Sequence, residues 1–226
     1  MTMKIQNNNT VTVYRHDLLY RILHWAIVLE VLILFISGLG VSDYLPLTFI
    51  SRGAARNLHV AVSMVWLGTV IFFIYYFIIS GEYKWFSLSR LGESFDFLIE
   101  EVRGFILGKK MKSPVIYDKN KKRYIEKIVP TEILAWWGWF VLWIIMILTG
   151  LALFYPDNLM PVIMLSKALV PSAANAEVAT RIVHLIVSLI FIVYIFIHAF
   201  ASLSFGMVGS MITGVKKEVT VNSEKV

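Results

Sequence analysis

Four apolar runs, each long enough for a membrane-spanning helix, dominate this sequence. A helix needs roughly 20 apolar residues to cross the hydrocarbon core of a bilayer. The runs are residues 18–41, 58–80, 132–155 and 181–205. Polar and apolar residues do not alternate at the period of a strand, which argues against a membrane barrel. The sequence therefore predicts an all-α integral membrane protein, a four-helix transmembrane bundle that forms one domain over residues 1–226.

The composition agrees with this prediction and limits the chemistry. Hydrophobic residues make up 58% of the chain and charged residues only 16%, which is more apolar surface than a soluble domain of this size can hide. The chain contains no cysteine, which excludes disulfides, thiolate iron–sulfur ligation and covalent c-type haem attachment. Any metal centre must therefore use histidine, carboxylate or methionine ligands.

The basic residues are divided unevenly between the two sides of the predicted bundle. Of the 21 Lys and Arg residues, three lie in residues 1–23, eleven in the polar segment 81–131 and three in residues 206–226. Only four lie on the opposite side. Because basic residues are enriched on the cytoplasmic side of membrane proteins, we expect both termini and the loop 81–131 to be cytoplasmic. This bias also explains the formal charge of +6 without a nucleic-acid partner.

Within the long loop, residues 86–107 combine apolar side chains with regularly spaced charged ones. This pattern is typical of an amphipathic helix, and such a helix can lie in the surface of a membrane. A soluble helix docked on a partner protein has the same pattern. Both interpretations remain open at this point.

The histidines are the most informative residues of the spans. Four of the five lie inside predicted spans: His24, His59, His184 and His198. Ionisable residues in membrane helices are costly and usually functional. His184 and His198 are 14 residues apart, so they share a helix face and are separated by about 21 Å along the axis. One therefore lies near each edge of a hydrocarbon core about 30 Å thick.

The depths of the other two histidines complete two pairs. With the N-terminus inside, His24 enters the first span at the depth of His198, and His59 enters the second span at the depth of His184. Paired histidines at two depths match bis-histidine ligation of two stacked haems. The sequence therefore predicts two haem b groups, with the inner iron bound by His24 and His198 and the outer iron by His59 and His184.

An arginine precedes three of these histidines by three residues; these are Arg21, Arg56 and Arg181. The spacing places each guanidinium on the face of the histidine, one turn nearer the membrane edge. There it can pair with a haem propionate. Interfacial anchoring of arginine could explain any single position, but three occurrences favour propionate binding.

These motifs resemble the cytochrome b (gamma) subunit of respiratory formate dehydrogenase. The resemblance extends from about residue 15 to 217 and rests on Arg21-Ile-Leu-His24-Trp25, Arg56-Asn-Leu-His59, Thr149-Gly150 and His184 with His198. Cytochrome b subunits of membrane-bound nickel–iron hydrogenases have a similar plan. One departure lies at Val129–Glu132, where the formate family has Asn-x-Gly-Gln, and the His-Asn-Pro stretch of the hydrogenase subunits is also missing there.

The resemblance implies the quinone-reactive subunit of a multi-subunit oxidoreductase in a bacterial or archaeal cytoplasmic membrane. Electrons would come from an extracytoplasmic iron–sulfur subunit and its catalytic subunit, which would hold the primary substrate site. They would cross between the haems and reduce a quinone, of the menaquinone type, at the cytoplasmic side. The inner ligand His198 would also approach this quinone.

Two carboxylates are candidates for proton chemistry. Glu132 lies at the inner edge of the third span, where a quinone needs protons, so it is a candidate catalytic residue. A carboxylate in the first turn of a helix is also favoured by the helix dipole, and this interpretation is equally good. Glu30 lies deeper in the first span, where a charge is costly, and we expect it to be protonated and hydrogen-bonded.

Two other functions fit the same sequence. In the first, electrons run in the opposite direction, from a quinol inside to an external reductase. In the second, the chain is a haem-free membrane anchor or a proton-linked transporter whose histidines carry protons.

Overall fold

The computed structural model describes residues 10–108 and 114–221, and these are mostly helical. The α-helices are α1 (Leu18–Val41), α2 (Arg52–Ile79), α3 (Leu91–Ile106), α4 (Thr131–Phe154), α5 (Met160–Leu169), α6 (Ala176–Ser204) and α7 (Val208–Thr213). Two short 3-10 helices, Glu82–Phe86 and Leu88–Arg90, precede α3. Four of the helices, α1, α2, α4 and α6, are long and apolar enough to cross a membrane, as predicted.

Three of the four long helices, α1, α2 and α6, begin at side chains that cap their first turns. Each cap is an oxygen that accepts from a backbone N–H three residues later: Asp17 from Tyr20 at 2.8 Å, Ser51 from Ala54 at 3.3 Å and Asn175 from Val178 at 2.9 Å. Such caps satisfy N–H groups that have no partner within the helix. They explain why α2 and α6 begin before the apolar runs, at Arg52 and Ala176. The length of an apolar run depends on the thickness of the membrane, whereas the first residue of a helix depends on its cap.

The chain divides into two compact units. The helix unit contains Leu23–Tyr75 and Gly138–Ala199, which are the greater part of the four long helices. The sheet unit contains Met1–Ile22, Tyr76–Trp137 and Phe200–Val226. It therefore includes one end of each long helix together with the long loop.

A four-stranded sheet in the sheet unit is absent from the sequence prediction, so the all-α description is incomplete. Its strands are β1 (Thr10–Tyr14), β2 (Ile116–Asp118), β3 (Arg123–Glu126) and β4 (Val215–Val221), in the order β1-β4-β2-β3. β1 pairs antiparallel with β4, and β2 pairs antiparallel with β3 and parallel with β4. The sheet thus joins the segment before α1, the long loop and the segment after α7.

A buried ion pair lies beside this sheet. Arg15 donates to the Glu218 carboxylate at 2.6 Å and to the Lys127 carbonyl at 2.5 Å. Its guanidinium also lies 5.6 Å from the ring centroid of Tyr124. Burial raises the pKa of Tyr124 to about 12. A buried arginine needs such partners because an unpaired buried charge is strongly destabilising.

Candidate functional site

His59 on α2 and His184 on α6 lie together in the helix unit, as the depth argument predicts. Their ring centroids are 6.3 Å apart and their planes differ by 79°. Imidazole nitrogens that bind one metal from opposite sides lie about 4 Å apart, since each bond is about 2.0–2.1 Å long. Each ring centroid lies one ring radius beyond the nitrogen that would bind the metal. The observed centroid separation of 6.3 Å therefore fits two imidazoles that bind one metal ion.

The hydrogen bonds of His59 fix its tautomer. Its Nδ1 lies 3.0 Å from the Leu34 carbonyl and 3.1 Å from Ser37 Oγ. A carbonyl only accepts, so Nδ1 carries the proton and donates. The Ser37 hydroxyl donates its own proton to the Ile33 carbonyl at 2.7 Å. Nε2 of His59 is therefore the unprotonated nitrogen, the form that binds a metal.

His184 is held in the same way from α4. Its Nδ1 lies 2.7 Å from Thr149 Oγ1, and that hydroxyl donates to the Ile145 carbonyl at 2.7 Å. With its proton donated to Ile145, the threonine oxygen accepts from Nδ1–H, which leaves Nε2 of His184 unprotonated and able to bind a metal. Such partners orient a ligating histidine and raise its basicity.

A glycine follows each of these hydroxyl residues and lies against the imidazole. A Cβ atom at Gly38 would be 3.2 Å from Cε1 of His59, and one at Gly150 would be 3.4 Å from Cε1 of His184. Gly68, by contrast, has nothing within 4 Å of such an atom. Ser37-Gly38 and Thr149-Gly150 thus form two equivalent seats for the rings. In the sequence, the two sites are visible as a hydroxyl residue followed by glycine in the first and third spans. Our prediction of site residues did not include Ser37.

A cavity of about 380 Å³ in the helix unit is lined by both histidines of this pair and by Arg56 and Arg181. Its volume lies in the range of ligand sites. Arg52, which the sequence analysis missed, also lines it and precedes Arg56 by one helical turn. The cavity is therefore lined by two imidazoles and three guanidinium groups. The imidazoles suit a metal ion, and the guanidinium groups suit acidic groups attached to its complex.

The three arginines differ in their partners. Arg181 pairs with Glu177 at 2.6 Å, and Arg52 pairs with Asp43 at 2.6 Å. The Arg52 guanidinium holds the pKa of the Asp43 carboxyl below its usual range. Arg56 makes no ion pair with the described carboxylates, so its charge is available to an anionic group in the cavity.

The second predicted pair, His24 on α1 and His198 on α6, also lies together in the helix unit. The ring centroids are 6.4 Å apart and the planes differ by 46°. Nδ1 of His24 is buried without a hydrogen-bond partner in the described part of the chain. His198 is exposed, and its ring lies edge-on to Trp139 at 6.0 Å. This pair therefore has the same separation as the first but lacks its hydroxyl seats.

Arg21, the third predicted propionate partner, is engaged elsewhere in the sheet unit. Its guanidinium donates to the Ile212 carbonyl at 2.5 Å and to the Asp17 carbonyl at 3.4 Å. These backbone contacts tie the start of α1 to the end of α7. A propionate role for Arg21 stays a prediction, and its contacts distinguish it from Arg56 and Arg181.

The carboxylate of Glu132 caps α4. It accepts from the Val129 N–H at 3.0 Å, the contact that a glutamate makes in a capping box. This is the contact that the capping interpretation expects, and proton delivery by Glu132 stays a prediction. Val129 is almost fully buried in the sheet unit, so its side chain has no open surface for a ligand.

Glu30 is hydrogen-bonded within the helix unit, as expected. Its Oε1 accepts from the Thr69 hydroxyl at 2.8 Å, and its Oε2 is buried. A neutral carboxyl satisfies this position at lower cost than a charge in an apolar environment.

Comparison with known proteins adds one match. A family model described as prokaryotic cytochrome b561 matches residues 15–214. This match includes all four paired histidines and both hydroxyl–glycine dipeptides, and it supports the wider cytochrome b family rather than the formate dehydrogenase branch in particular. No curated protein matches the chain.

Proposed function

The chain belongs to the prokaryotic cytochrome b561 family of membrane electron-transfer subunits that bind haem b, and we propose that it conducts electrons across the membrane through two such haems. His24 and His198 hold one haem, and His59 and His184 hold the other. When bound, these haems supply reversible one-electron transfer at two depths. The observation that carries the proposal is the agreement of the two ring separations, 6.3 and 6.4 Å.

The number of protein ligands supports haem over a bare metal ion. Within residues 10–108 and 114–221, no three His, Asp or Glu side chains come together in a group that could hold a metal ion. A structural zinc site needs four ligands from the protein, whereas a haem brings ligands of its own and would take only two from the protein. Two histidines on opposite sides are therefore a complete protein contribution for haem and an incomplete one for zinc.

The resemblance and the exposure of His198 support a proposal for the two ends of the electron path. An external iron–sulfur subunit, fed by a catalytic subunit of the formate dehydrogenase or hydrogenase type, delivers electrons on the His59–His184 side. A quinone of the menaquinone type accepts them on the cytoplasmic side, next to His198. Exposure of His198 on a membrane-spanning helix supports this assignment, since a lipid-soluble molecule can approach it from the bilayer.

Haem counting tests the proposal directly. The purified chain should contain two haems in a pyridine haemochrome assay. Replacing His59 or His184 by alanine should remove one haem, and replacing His24 or His198 should remove the other. Redox titration would show which of the two haems is lost in each variant. His16→Ala, outside the four long helices, is the matched control and should keep both. A single haem in the parent chain, or loss of the same haem in all four variants, would contradict the pairing.

Sealed vesicles test the direction of flow. If quinone is reduced on the cytoplasmic side by electrons from the opposite side, turnover separates charge and works against about 2.3 kcal/mol per electron per 100 mV of membrane potential. Substrate-driven quinone reduction should then build a potential, and an uncoupler should accelerate it. Electroneutral turnover would contradict the cytoplasmic quinone site, and net quinol oxidation would reverse the assigned direction.

A further inference from the structure

Helix α3 has one face that is packed inside the sheet unit. Ser94 and Gly104 are buried on this face. Phe97 lies on the same face and packs against the buried cluster of Val115, Val129 and Met207. The position of α3 is therefore fixed by contacts that use only part of its circumference.

A second face of α3 is apolar and exposed. It consists of six large side chains whose exposed fractions range from 38% to 73%: Phe95, Leu98, Ile99, Val102, Phe105 and Ile106. At 3.6 residues per turn they form one continuous stripe, here called the α3 stripe. The third face is polar and carries Glu93, Asp96, Glu100 and Arg103, all exposed. An apolar stripe of this size on a surface usually marks an interface.

One contact indicates what covers the α3 stripe. Phe105 meets Phe200 of α6 edge to face, with ring centroids 5.7 Å apart. Phe200 and Leu203 are themselves more than half exposed, and they belong to a helix that is apolar enough to span a membrane. Outward-facing apolar residues of such a helix contact lipid. The α3 stripe therefore continues a lipid-facing surface.

From this continuity we propose that α3 lies in the plane of the membrane interface, with the α3 stripe in contact with lipid and the polar face in water. Amphipathic helices of this kind insert their apolar face about 5–10 Å into the boundary between headgroups and acyl chains. The polar face carries three carboxylates and one guanidinium, so charge does not attract this helix to anionic lipid. Its association is hydrophobic and independent of headgroup charge. This inference does not depend on the haem ligands.

The absence of cysteine from the chain makes a site-directed labelling experiment clean. Single cysteines would be introduced at Phe95, Ile99, Val102 and Ile106 on the α3 stripe. Matched controls would replace Asp96, Glu100 and Arg103 on the polar face of the same helix. Each full-length variant, spin-labelled and reconstituted without partner subunits in phosphatidylcholine vesicles, would be probed with oxygen and with a water-soluble nickel chelate.

The expected result is a several-fold higher ratio of oxygen to nickel accessibility at the four stripe positions than at the three controls. The ratio should not change when phosphatidylglycerol is added. Equal ratios on the two faces would overturn the proposal. Protection of the α3 stripe from both reagents would also overturn it, because that result shows contact with protein.

A second measurement uses the unsubstituted chain and so does not depend on the folding of variants. A photoactivatable carbene reagent carried in the acyl chains should label the peptide that contains residues 91–106. Labelling should concentrate on the α3 stripe and spare Glu93, Asp96 and Glu100. A peptide without label, beside labelled residues of α6, would overturn the proposal.

Discussion

The Thr149 hydroxyl on α4 accepts a hydrogen bond of 2.7 Å from Nδ1 of His184 on α6. Because the threonine proton is donated to the Ile145 carbonyl, the direction of this bond is fixed. One helix thus sets the tautomer of a histidine on another. This relationship has consequences that can be measured as redox potentials.

Thr149→Val should raise the midpoint potential of the haem that we assign to His59 and His184. Valine keeps the shape but removes the acceptor, so His184 becomes a less basic ligand and stabilises ferric iron less. If the preference of the histidine ligand for ferric over ferrous iron falls tenfold, the midpoint potential rises by about 59 mV. Redox titration would measure the shift, and Thr149→Ser, which keeps the hydroxyl, should restore the parent value. An unchanged potential in Thr149→Val would contradict the role of this bond.

Ser37→Ala should shift the same potential less than Thr149→Val does. Nδ1 of His59 keeps a second acceptor, the Leu34 carbonyl at 3.0 Å, after the serine oxygen is removed. The ring should therefore retain its orientation and most of its basicity. Titration of the two variants side by side checks the order, and a larger shift in Ser37→Ala would show that the carbonyl contact does not compensate.

Gly38→Ala should reduce occupancy of the same haem site. The new methyl would lie 3.2 Å from Cε1 of His59, and overpacking of this kind typically costs about 1–3 kcal/mol. Gly68→Ala on α2, with nothing within 4 Å, is the matched control and should keep both haems. The haem-to-protein ratio after purification measures the difference. Equal haem content in both variants would mean that His59 can move without loss of ligation.

Glu132→Ala should destabilise the chain, and Glu132→Gln should not. Glutamine keeps an oxygen that accepts from the Val129 N–H, whereas alanine leaves it without this partner, a loss of about 0.5–2 kcal/mol for a helix cap. Thermal unfolding in detergent would show the difference. Quinone turnover should remain normal in Glu132→Gln. Slow turnover with intact haem reduction would instead assign proton delivery to this residue.

Glu101→Gln should stabilise the chain at pH 7 and have little effect below pH 4. Burial raises the pKa of Glu101 above its ordinary value of 4.5, and a hydrogen bond from Thr131 opposes the shift. A raised pKa means that the protonated side chain favours folding below the unfolded pKa, and that this contribution is lost as pH rises. Glutamine imitates the protonated form at every pH. Melting temperatures at the two pH values would test this, and equal gains at both would contradict it.

The positions of the long helices and the pairing of the histidines could be predicted from the sequence. Both depend on constants, the thickness of the hydrocarbon core and the rise of 1.5 Å per residue. His184 and His198 share α6, so their separation follows from counting. Their partners then follow from the direction in which each helix runs.

The sheet could not be predicted in this way. Its strands contain only three to seven residues, too few for a reliable period. β4 carries Lys216, Lys217 and Glu218, which do not look like a buried strand. Its partner β1 lies some two hundred residues earlier in the chain. Such pairings depend on tertiary contacts that no local pattern records.

The ring seats were missed for a different reason. Ser37 and Gly38 lie in an apolar helix, where small residues are usual at helix contacts, so neither is conspicuous alone. Only the hydrogen bond to His59 distinguishes this serine from Ser63 on α2, whose hydroxyl donates to the Val60 carbonyl in its own helix. Arg52 was missed because it does not precede a histidine by three residues.

One histidine of each pair comes from α6. In the proposed function, the distance between the two haem sites is then set by the backbone of a single continuous helix, which places the Cα atoms of His184 and His198 about 21 Å apart at 1.5 Å per residue. Bending or sliding of α1 and α2 would change how His24 and His59 hold these groups but would hardly alter this distance. The distance between the two sites is therefore nearly independent of motions of α1 and α2. The hydrogen bonds with Ser37 and Thr149 act only on the His59–His184 pair, so substitutions there should change the potential of one site without changing this distance.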